Sequence, residues 1–424
     1  MMNVLILTVL AVSAAVDYDE VLKSPRLSIQ EFRAFAVRND RHYGATESAL
    51  RYKIFRSTMK FVNSENKQNL GWESELNFFA DLSTEERGQW LGLNVSMAPA
   101  TSPSHTLSLS DDPAPDSVNW ISGGRVTSVK NQGSCGSCWS FGATVALEGM
   151  YKAVGGKLKS FAEQELLDCV YEKRSGCRGG WHTTCYDYSR RKNRLATAAN
   201  YPYTATDSER GACDLSAVPD GLQSAKVTGY TGVDPGEAAH IQALAITPTA
   251  VAFEVTNSLH SYKKGIMKDR TCRGSVNHAV AVVGYSPTYV VVKNSWGSVW
   301  GDSGFVKMAR NHHNCKLHDY VAYPTLEATA DADSDPESAA CSYDPEAIPG
   351  PTPGPDPKPD PDCRDEFQNW CRPTPAWCSN PVYLEKLCRK TCGNCVVVPT
   401  KQPDVCPSGT IRCPDGVCKH EHMC

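Results

Sequence analysis

The sequence has no apolar run long enough to cross a lipid bilayer. The longest, Val4 to Val16, falls short of the ~20 residues that a membrane helix needs. No block of basic residues dominates it either, since 43 Lys and Arg stand against 47 Asp and Glu and the formal net charge is −4. These two features argue against a membrane span and against a protein built to bind nucleic acid.

Cysteine is absent from residues 17–110 but abundant elsewhere, with 19 in a chain of 424 residues. So many cysteines indicate an oxidising compartment, because the cytosol keeps thiols reduced. The N-terminus agrees with export. The apolar stretch Val4–Leu10 precedes small residues, which is typical of a signal peptide cleaved after Ala15. We therefore expect a protein that is secreted or delivered to a lysosome-like vesicle.

The chain divides into segments of different composition, and its length predicts two to four domains. After a signal peptide at 1–15, residues 16–110 are charged with helical periodicity, and residues 111–327 are mixed with eight cysteines. Residues 328–362 are acidic and rich in proline, which favours a stiff linker over a ligand for proline-recognising modules. Residues 363–424 hold ten cysteines, a density that predicts small disulfide-rich modules.

A Gly/Ser-rich turn at 131–137 opens into a long apolar run. From Cys138 to Val154 nearly every position is apolar or small, which predicts a buried helix with Cys138 at its N-terminus. The aligned peptide dipoles favour an anion there and lower the pKa of a thiol. The pattern is compatible with a reactive thiolate, although an isolated cysteine more often packs or forms a disulfide.

Two polar side chains downstream stand at the ends of predicted strands. His278 begins a β-branched run, and Asn294 follows the run Val290–Lys293. A lone histidine at a strand start is usually structural. Here the cysteine, histidine and asparagine each lie at the terminus of an element, where side chains can converge on a cleft.

The sequence around these residues resembles the three catalytic blocks of papain-like cysteine proteases, the cathepsin L relatives in particular. The blocks read Gln-Gly-Ser-Cys-Gly-Ser-Cys-Trp, Asn-His-Ala-Val and Lys-Asn-Ser-Trp-Gly, with His278 and Asn294 lying 140 and 156 residues after Cys138. The resemblance implies an α+β fold with a two-lobed catalytic domain, one lobe helical and one β-barrel-like. It also implies a cysteine endopeptidase that acts on proteins and peptides without a metal or a cofactor.

The resemblance assigns a role to each catalytic residue. Cys138 would attack the scissile carbonyl as a thiolate, and protonated His278 would donate to the departing amine. Asn294 would orient the imidazole, Trp296 would shield that hydrogen bond from water, and Gln132 would donate to the oxyanion. The main alternative is a catalytically silent homologue that acts as a binding or toxin-like protein through its C-terminus, but the intact catalytic positions argue against it.

Further positions match the family's substrate-binding residues. Gly179 and Gly180 correspond to the strand that binds the substrate backbone, although Arg178 replaces the usual Asn. Tyr320 at the pocket floor implies a short apolar specificity pocket for Leu- or Val-sized side chains. No insertion resembles an occluding loop, which favours an endopeptidase over an exopeptidase. The other implied positions are Trp181, Ala252, Val276, Asn277 in place of a frequent Asp, Ala279 and Trp296.

The resemblance also implies the disulfides of the catalytic domain. Its connectivity gives Cys135–Cys177, Cys169–Cys213 and Cys272–Cys315. Cys185 has no family partner, and Cys341 is the other cysteine left over. We hypothesise that these two bond to each other and tie the start of the linker to the catalytic domain.

Residues 16–110 resemble the inhibitory propeptide of cathepsin L-type enzymes. Glu47, Arg51, Phe55, Thr58, Val62 and Asn66 follow its interrupted motif, with Thr58 and Val62 as departures, and the same spacing fits any amphipathic helix. Asn77–Asp81 matches the second motif. The propeptide would block the cleft as an intramolecular inhibitor, running backwards relative to substrate, and cleavage would fall within 98–114. Asn94 begins a glycosylation sequon.

Residues 363–395 resemble ShK toxin-like domains. Six cysteines allow fifteen pairings, so spacing alone cannot choose among them. The resemblance implies Cys363–Cys395, Cys371–Cys388 and Cys378–Cys392. Val382 precedes Tyr383 where channel-blocking relatives have Lys, which argues against channel block. An extracellular docking role, an inert appendage and release by cleavage in the linker remain open.

Residues 396–424 form a short module with four cysteines: Cys406, Cys413, Cys418 and Cys424. Their spacing is similar to the first half of a low-density-lipoprotein receptor class A repeat, without its acidic calcium ligands. We expect a monomer in which the linker tethers these modules to the catalytic domain.

Overall fold

The computed structural model describes residues 17–98, 103–110, 113–154, 157–171, 176–205, 212–222, 225–269, 271–312 and 315–328, together with strands Ile411–Arg412 and Cys418–Lys419. The chain divides into two units, residues 1–348 and 349–424. In the second unit the two short strands pair antiparallel. The signal peptide, linker residues 329–362, the ShK-like domain with its three predicted disulfides, and Cys341 lie outside the described residues.

Three helices form the N-terminal part of the first unit: α1 (Asp19–Lys23), α2 (Pro25–Arg38) and α3 (Ala45–Lys67). Ser24 caps α2 by accepting the Leu27 N–H, and a proline occupies the first helical position. The helices pack through buried apolar side chains at Phe32, Phe35, Phe55, Met59 and Val62. No helix in the described ranges is long and apolar enough to cross a membrane.

The polar positions of the interrupted motif fasten α3 to the loop that follows it. The Arg51 guanidinium forms an ion pair with Glu86 at 2.5 Å, and Glu86 completes a capping box at the start of α4 (Thr84–Gly88). Asn66 binds both the N–H and the C=O of Ser74, at 2.8 and 2.9 Å. The motif is therefore more than an amphipathic helix, because its polar members close long-range contacts.

The helical lobe is built around α5 (Cys138–Ala153), with α6 (Glu163–Cys169) and α7 (Thr183–Lys192) beside it. Every residue of α5 from Cys138 to Tyr151 is buried. The helix has no polar face to turn to solvent, so neighbouring elements cover it on all sides. The predicted buried helix beginning at Cys138 is confirmed.

The second lobe is a ten-stranded sheet in the order β1-β6-β9-β8-β7-β5-β10-β4-β2, with β3 paired to β7 outside this path. Strands β5, β7 and β8 lie in its middle and are buried on both faces. Helices α8 (Glu237–Ile246) and α9 (Asn257–His260) complete the lobe. The strands are β1 (Trp72–Ser74), β2 (His105–Leu107), β3 (Val118–Asn119), β4 (Ala225–Val233), β5 (Thr249–Phe253), β6 (Tyr262–Met267), β7 (His278–Tyr285), β8 (Tyr289–Lys293), β9 (Phe305–Ala309) and β10 (Val321–Ala328). The predicted α+β fold is confirmed.

Both outer strands of this sheet come from the N-terminal segment. β1 pairs antiparallel with β6 at one edge, and β2 pairs parallel with β4 at the other. An uncovered sheet edge carries unpaired N–H and C=O groups that invite other chains. The segment that the sequence predicts as an inhibitor therefore also closes both edges of the sheet.

Three disulfides join the expected pairs Cys135–Cys177, Cys169–Cys213 and Cys272–Cys315, with Cα–Cα distances of 4.6, 5.0 and 5.4 Å. Cys185 is a free thiol in the structure. It lies on α7 in the core of the helical lobe, 2% exposed, with its sulfur 3.8 Å from the Trp139 carbonyl oxygen. This position disagrees with the hypothesised bond to Cys341, because a linker cysteine could reach it only by entering the core.

A buried ion cluster joins the turn before Cys138 to α5 and α6. The Lys130 ammonium lies 2.9 Å from Glu148 and 2.6 Å from Glu163, and both carboxylates are at most 2% exposed. Burial alone would lower the pKa of Lys130, but the two carboxylates reverse that effect and raise it. Lys130 is therefore the counter-ion on which two buried charges depend.

We expect Lys130→Met to lower the free energy of unfolding by about 3 kcal/mol, because it leaves two buried carboxylates without their cation. The measurement is urea unfolding of a Cys138→Ala background, which prevents self-digestion. Lys23→Met is the control, since Lys23 pairs with Glu20 at an exposed site and should leave the free energy of unfolding nearly unchanged. Equal effects in the two variants would contradict the buried-cluster interpretation.

Candidate active site

Cys138 lies at the first position of α5, where two backbone N–H groups point at its sulfur. The donors are Ala279, at 3.4 Å, and Gly92, at 3.3 Å. Ala279 belongs to β7 in the other lobe, whereas Gly92 belongs to the N-terminal segment. The sulfur is 0% exposed, so the groove between the lobes is closed over it.

His278 and Asn294 meet because β7 and β8 are antiparallel neighbours. The histidine begins β7, the asparagine follows β8, and the His278 Nε2 to Asn294 Oδ1 distance is 2.9 Å. Asn294 Oδ1 also accepts the Ser295 N–H at 2.8 Å, so it acts as the acceptor and the imidazole carries its proton on Nε2. His278 Nδ1 is buried and has no hydrogen-bond partner among the described residues.

Aromatic rings enclose this histidine–asparagine pair. The Trp296 ring lies 4.9 Å from the His278 ring, and its other neighbours include His260, stacked at 5.3 Å, and Phe79, edge-on at 5.0 Å. Trp296 is 0% exposed. Water is therefore kept away from the His278–Asn294 hydrogen bond, which strengthens it electrostatically.

Gln132 is held rigidly beside the cysteine. Its side-chain carbonyl oxygen accepts a hydrogen bond from the Ser295 hydroxyl at 2.6 Å, which leaves the Nε2 group free to donate. Nε2 donates to the Trp90 carbonyl oxygen at 3.0 Å and to the Cys135 carbonyl oxygen at 2.7 Å. The amide group thus already holds the carbonyl oxygen of a chain that lies in the groove.

The chain in the groove is the segment Trp90–Asn94. Gly92 accepts the Gly180 N–H at 2.8 Å, the Leu93 N–H donates to the Asn277 carbonyl oxygen at 3.1 Å, and the Asn94 N–H donates to the Gly180 carbonyl oxygen at 3.0 Å. Leu93 and Gly180 form a parallel bridge. The groove therefore binds a peptide backbone from both lobes at once.

A second part of the N-terminal segment anchors it to the sheet lobe. Phe79 packs against the rings of Trp90, His260 and Trp296 at 5.2, 4.9 and 5.0 Å. Asn77 Nδ2 donates to the His260 carbonyl oxygen at 2.7 Å. Asp81, in contrast, binds Tyr43 inside the N-terminal segment itself. In the second motif, Phe79 thus contacts the sheet lobe, whereas Asp81 stabilises the N-terminal segment itself.

The structure places five of the residues implied for the specificity pocket as follows. Trp181, Ala252, Val276 and Ala279 are buried in one apolar cluster, and Leu93 belongs to the same cluster. Tyr320 is 39% exposed and meets Trp181 edge-on at 5.6 Å.

Two of the expected positions, Asn277 and Asn94, use their side chains for contacts within the protein. A third, Gly179, has a backbone conformation that favours glycine. The Asn277 side chain turns away from the groove, because its Oδ1 accepts the Val255 N–H at 2.8 Å; only its backbone carbonyl meets the bound segment. Gly179 has a positive φ of 94° that favours glycine. The Asn94 side chain of the sequon caps a short 3₁₀ turn, Val95–Met97, rather than projecting freely.

Burial keeps the catalytic pair neutral in this closed form. It raises the pKa of the Cys138 thiol to about 11, although four backbone N–H groups oppose the shift, and it lowers the pKa of His278 to about 4. The low thiol pKa that the helix N-terminus predicts is therefore not present while the groove is covered, because desolvation outweighs the helix dipole. The groove would have to open and expose the sulfur before the thiol could ionise easily.

A family described as "Papain family cysteine protease" matches residues 114–325. The chain belongs to the papain family of cysteine proteases. A second description, "Cathepsin propeptide inhibitor domain (I29)", matches residues 32–86. The protein is thus a papain-family cysteine endopeptidase made as a zymogen, and the segment that fills its groove follows the propeptide match directly in the chain.

Known proteases support this assignment over most of the first unit. A "Thiol protease aleurain-like" of Arabidopsis thaliana is 35% identical over 308 residues, covering 70% of this chain and 84% of the relative. Papain of Carica papaya is 34% identical over 313 residues, covering 72% and 88%. A recombinant stem bromelain precursor has a TM-score of 0.64 at 32% identity, covering 71% of this chain and 99% of that structure. Digestive procathepsin L 3 of Tenebrio molitor has a TM-score of 0.62 at 30% identity, with the same coverage.

Sequence reasoning missed several residues that complete the papain-family groove. Ser295 orients the Gln132 side-chain amide, the Tyr203 hydroxyl donates to the Gln132 backbone carbonyl oxygen at 2.8 Å, and His260 stacks on Trp296. Ser295 lies inside the block Lys-Asn-Ser-Trp-Gly but was given no role of its own. Tyr203 and His260 carry no local pattern, because each acts through a partner far away in the chain. Gly92 had a usable signal, since it is the one small residue in the apolar stretch Trp90–Leu93.

We expect the intact zymogen to resist alkylation at Cys138. With a pKa of about 11, roughly one thiol in a thousand is ionised at pH 8. Iodoacetamide labelling, followed by mass spectrometry, should therefore be slow and should accelerate about tenfold per pH unit until pH approaches 11. Cys185 is the control, since burial raises its pKa as well and it should stay unlabelled before and after activation. Labelling of the zymogen as fast as the activated enzyme would contradict this.

We expect Gly92→Ala to speed activation at neutral pH by about tenfold. A Cβ at Gly92 would overlap the carbonyl of Gly136, so the propeptide must shift out of the groove, and such overpacking costs about 1–3 kcal/mol. The measurement is the rate at which the full chain converts to active enzyme. Gly88→Ala is the control, because a Cβ there meets nothing within 4 Å. An unchanged rate in Gly92→Ala would show that this contact does not hold the propeptide.

Proposed function

We propose that the protein hydrolyses peptide bonds through Cys138, His278, Asn294 and Gln132. The observation that carries this proposal is the Trp90 carbonyl oxygen, held 3.0 Å from Gln132 Nε2 in a groove that also contains the Cys138 sulfur. A donor that already holds a backbone carbonyl can stabilise the charge that develops on a substrate carbonyl. This is the arrangement that acyl transfer needs.

In the proposed reaction, once the groove is open, the Cys138 thiol passes its proton to His278 Nδ1. The resulting thiolate attacks the scissile carbonyl carbon, and the carbonyl oxygen becomes an oxyanion. Gln132 Nε2 and the Cys138 backbone N–H donate to that oxygen. The proton on His278 Nδ1 passes to the departing amine, which leaves a thioester on Cys138. Water then attacks the thioester, His278 accepts its proton, and the acid product departs.

Asn294 acts by position rather than by proton transfer. Its Oδ1 accepts a hydrogen bond from His278 Nε2 at a distance of 2.9 Å. This bond fixes the proton on Nε2 and directs Nδ1 toward the reacting atoms. Trp296 keeps water from this bond. Losing the orientation would leave the imidazole free to turn, with Nδ1 away from the sulfur.

We propose that the same geometry protects the bound segment from cleavage. At the sulfur it presents the Gly92 N–H, at 3.3 Å, rather than a carbonyl carbon. The Leu93–Gly180 bridge is parallel, so the bound segment runs in the opposite direction to the antiparallel arrangement that we propose for substrates. The propeptide therefore occupies the groove in an orientation that offers no carbon for attack.

We infer a preference for Leu- or Val-sized side chains in the specificity pocket. The supporting observation is Leu93, which packs with Trp181, Val276 and Ala279 in one buried cluster. Tyr320 closes the pocket edge-on against Trp181. A charged side chain would lose its hydration in this apolar cluster without gaining a counter-ion.

Outside the groove, we propose a monomeric enzyme that passes through the secretory pathway to the cell exterior or to a lysosome-like vesicle. Its disulfides support an oxidising environment. The C-terminal cysteine-rich modules would serve for docking to an extracellular partner, with the acidic proline-rich linker as spacer. The catalytically silent alternative is disfavoured, because Cys138, His278, Asn294 and Gln132 are all present in the groove.

We expect Gln132→Ala to lower kcat/KM for a short peptide substrate by about 100- to 1000-fold, because one oxyanion donor is lost. Cys138→Ala should abolish turnover. Activated wild-type enzyme should react one-to-one with an epoxysuccinyl thiol inhibitor, and mass spectrometry should find the label on Cys138. Gln242→Ala, far from the groove on α8, is the control and should keep full activity. Turnover by Cys138→Ala, or labelling at another residue, would overturn the proposal.

A further inference from the structure

The segment 103–110 lies between the two parts of the chain that the family descriptions match, 32–86 and 114–325. It takes no part in blocking the groove. Instead its strand β2 is added to the outer edge of β4, with His105, Thr106 and Leu107 paired in parallel to Thr231, Gly232 and Val233. β4 pairs with β10 on its other side, so β2 is what closes this edge of the catalytic domain.

Backbone hydrogen bonds hold the segment on either side of the bridge pairs. The Ser104 N–H donates to the Tyr230 carbonyl oxygen at 3.0 Å, and the Asp234 N–H donates to the Leu107 carbonyl oxygen at 3.0 Å. Such bonds recognise an extended chain without regard to its sequence. They make the β4 edge an acceptor for a strand.

Two side-chain features add selectivity. Gln242 on α8 binds the backbone of Ser110 with both ends of its amide, accepting the N–H at 3.0 Å and donating to the C=O at 2.7 Å. Leu107 packs against the apolar cluster that contains Val233 and Leu244. An apolar side chain three residues before the clamped residue therefore fits this site.

Two glycines of β4 also leave space for the segment. A Cβ at Gly229 would overlap the Ser104 hydroxyl, and a Cβ at Gly232 would lie 3.1 Å from the Pro103 ring. Neither glycine has a positive φ, so turn geometry does not explain them. They leave room for a chain that approaches closely.

We propose that the outer edge of β4 is a second peptide-binding site, which keeps residues 103–110 on the catalytic domain after the inhibitory part of the propeptide has left. The site lies apart from the catalytic groove and does not depend on the catalytic roles proposed above. It moves the functional boundary of the propeptide from residue 110 to a point before Pro103. The opposite edge strand, β1, lies inside the inhibitory match and leaves with it.

The test begins with the full chain, activated and then purified under native conditions to remove loose fragments. Denaturation and mass spectrometry should recover residues 103–110 one-to-one with the catalytic domain, either joined to it or as a separate peptide. Hydrogen exchange should show the Ser104 and Asp234 amides protected. An active catalytic domain without these residues, or with both amides exchanging freely, would overturn the proposal.

A matched set of variants tests which contacts hold the strand. Leu107→Ala combined with Gln242→Ala should speed exchange at Ser104 and Asp234 by roughly tenfold or more, since it removes an apolar contact and two hydrogen bonds. Gly229→Val should displace the segment from the other side. Thr106→Ala is the control, because that side chain is exposed and should change nothing. In every variant kcat/KM on a short peptide should stay unchanged, and exchange equal to wild type in all of them would refute the assigned contacts.

Discussion

The Gly92 N–H directed at the Cys138 sulfur is the contact on which the closed state depends. It puts a backbone donor where a substrate would put its carbonyl carbon, and it seals the thiol from water. Desolvation then keeps the thiol protonated and the neighbouring imidazole neutral. In this closed form the groove is therefore covered, and burial also disfavours the ion pair that the proposed chemistry would need.

The N-terminal segment that precedes the papain-family match is also part of the fold, because it contributes strands and core contacts. Its strands β1 and β2 close opposite edges of one sheet, and its Phe79 completes an aromatic cluster with Trp90, His260 and Trp296. The two edges differ in how they are held. β1 belongs to the helical inhibitory part, whereas β2 is fixed by contacts with the catalytic domain alone. On the proposal above, this difference is what would let the inhibitory part leave while residues 103–110 stay.

The extent to which the site could be predicted varied with how local its signals were. The buried helix behind Cys138 followed from an unbroken apolar run, and the strand positions of His278 and Asn294 followed from β-branched stretches. The clamp of Gln132 by Ser295, the stacking of His260 on Trp296 and the inward burial of Cys185 had no such signal. Each is a contact between residues far apart in the chain, which composition and periodicity do not report.

The sequence by itself determined which segment is a buried helix, and which histidine and asparagine stand at strand ends. It also predicts Cys138 as the nucleophile. These properties depend on near neighbours and on side-chain type. Only the tertiary structure decided the protonation state of the site, the direction of the bound propeptide strand and the role of residues 103–110. Those depend on burial and on pairing across the sheet, and both arise only when distant segments have come together.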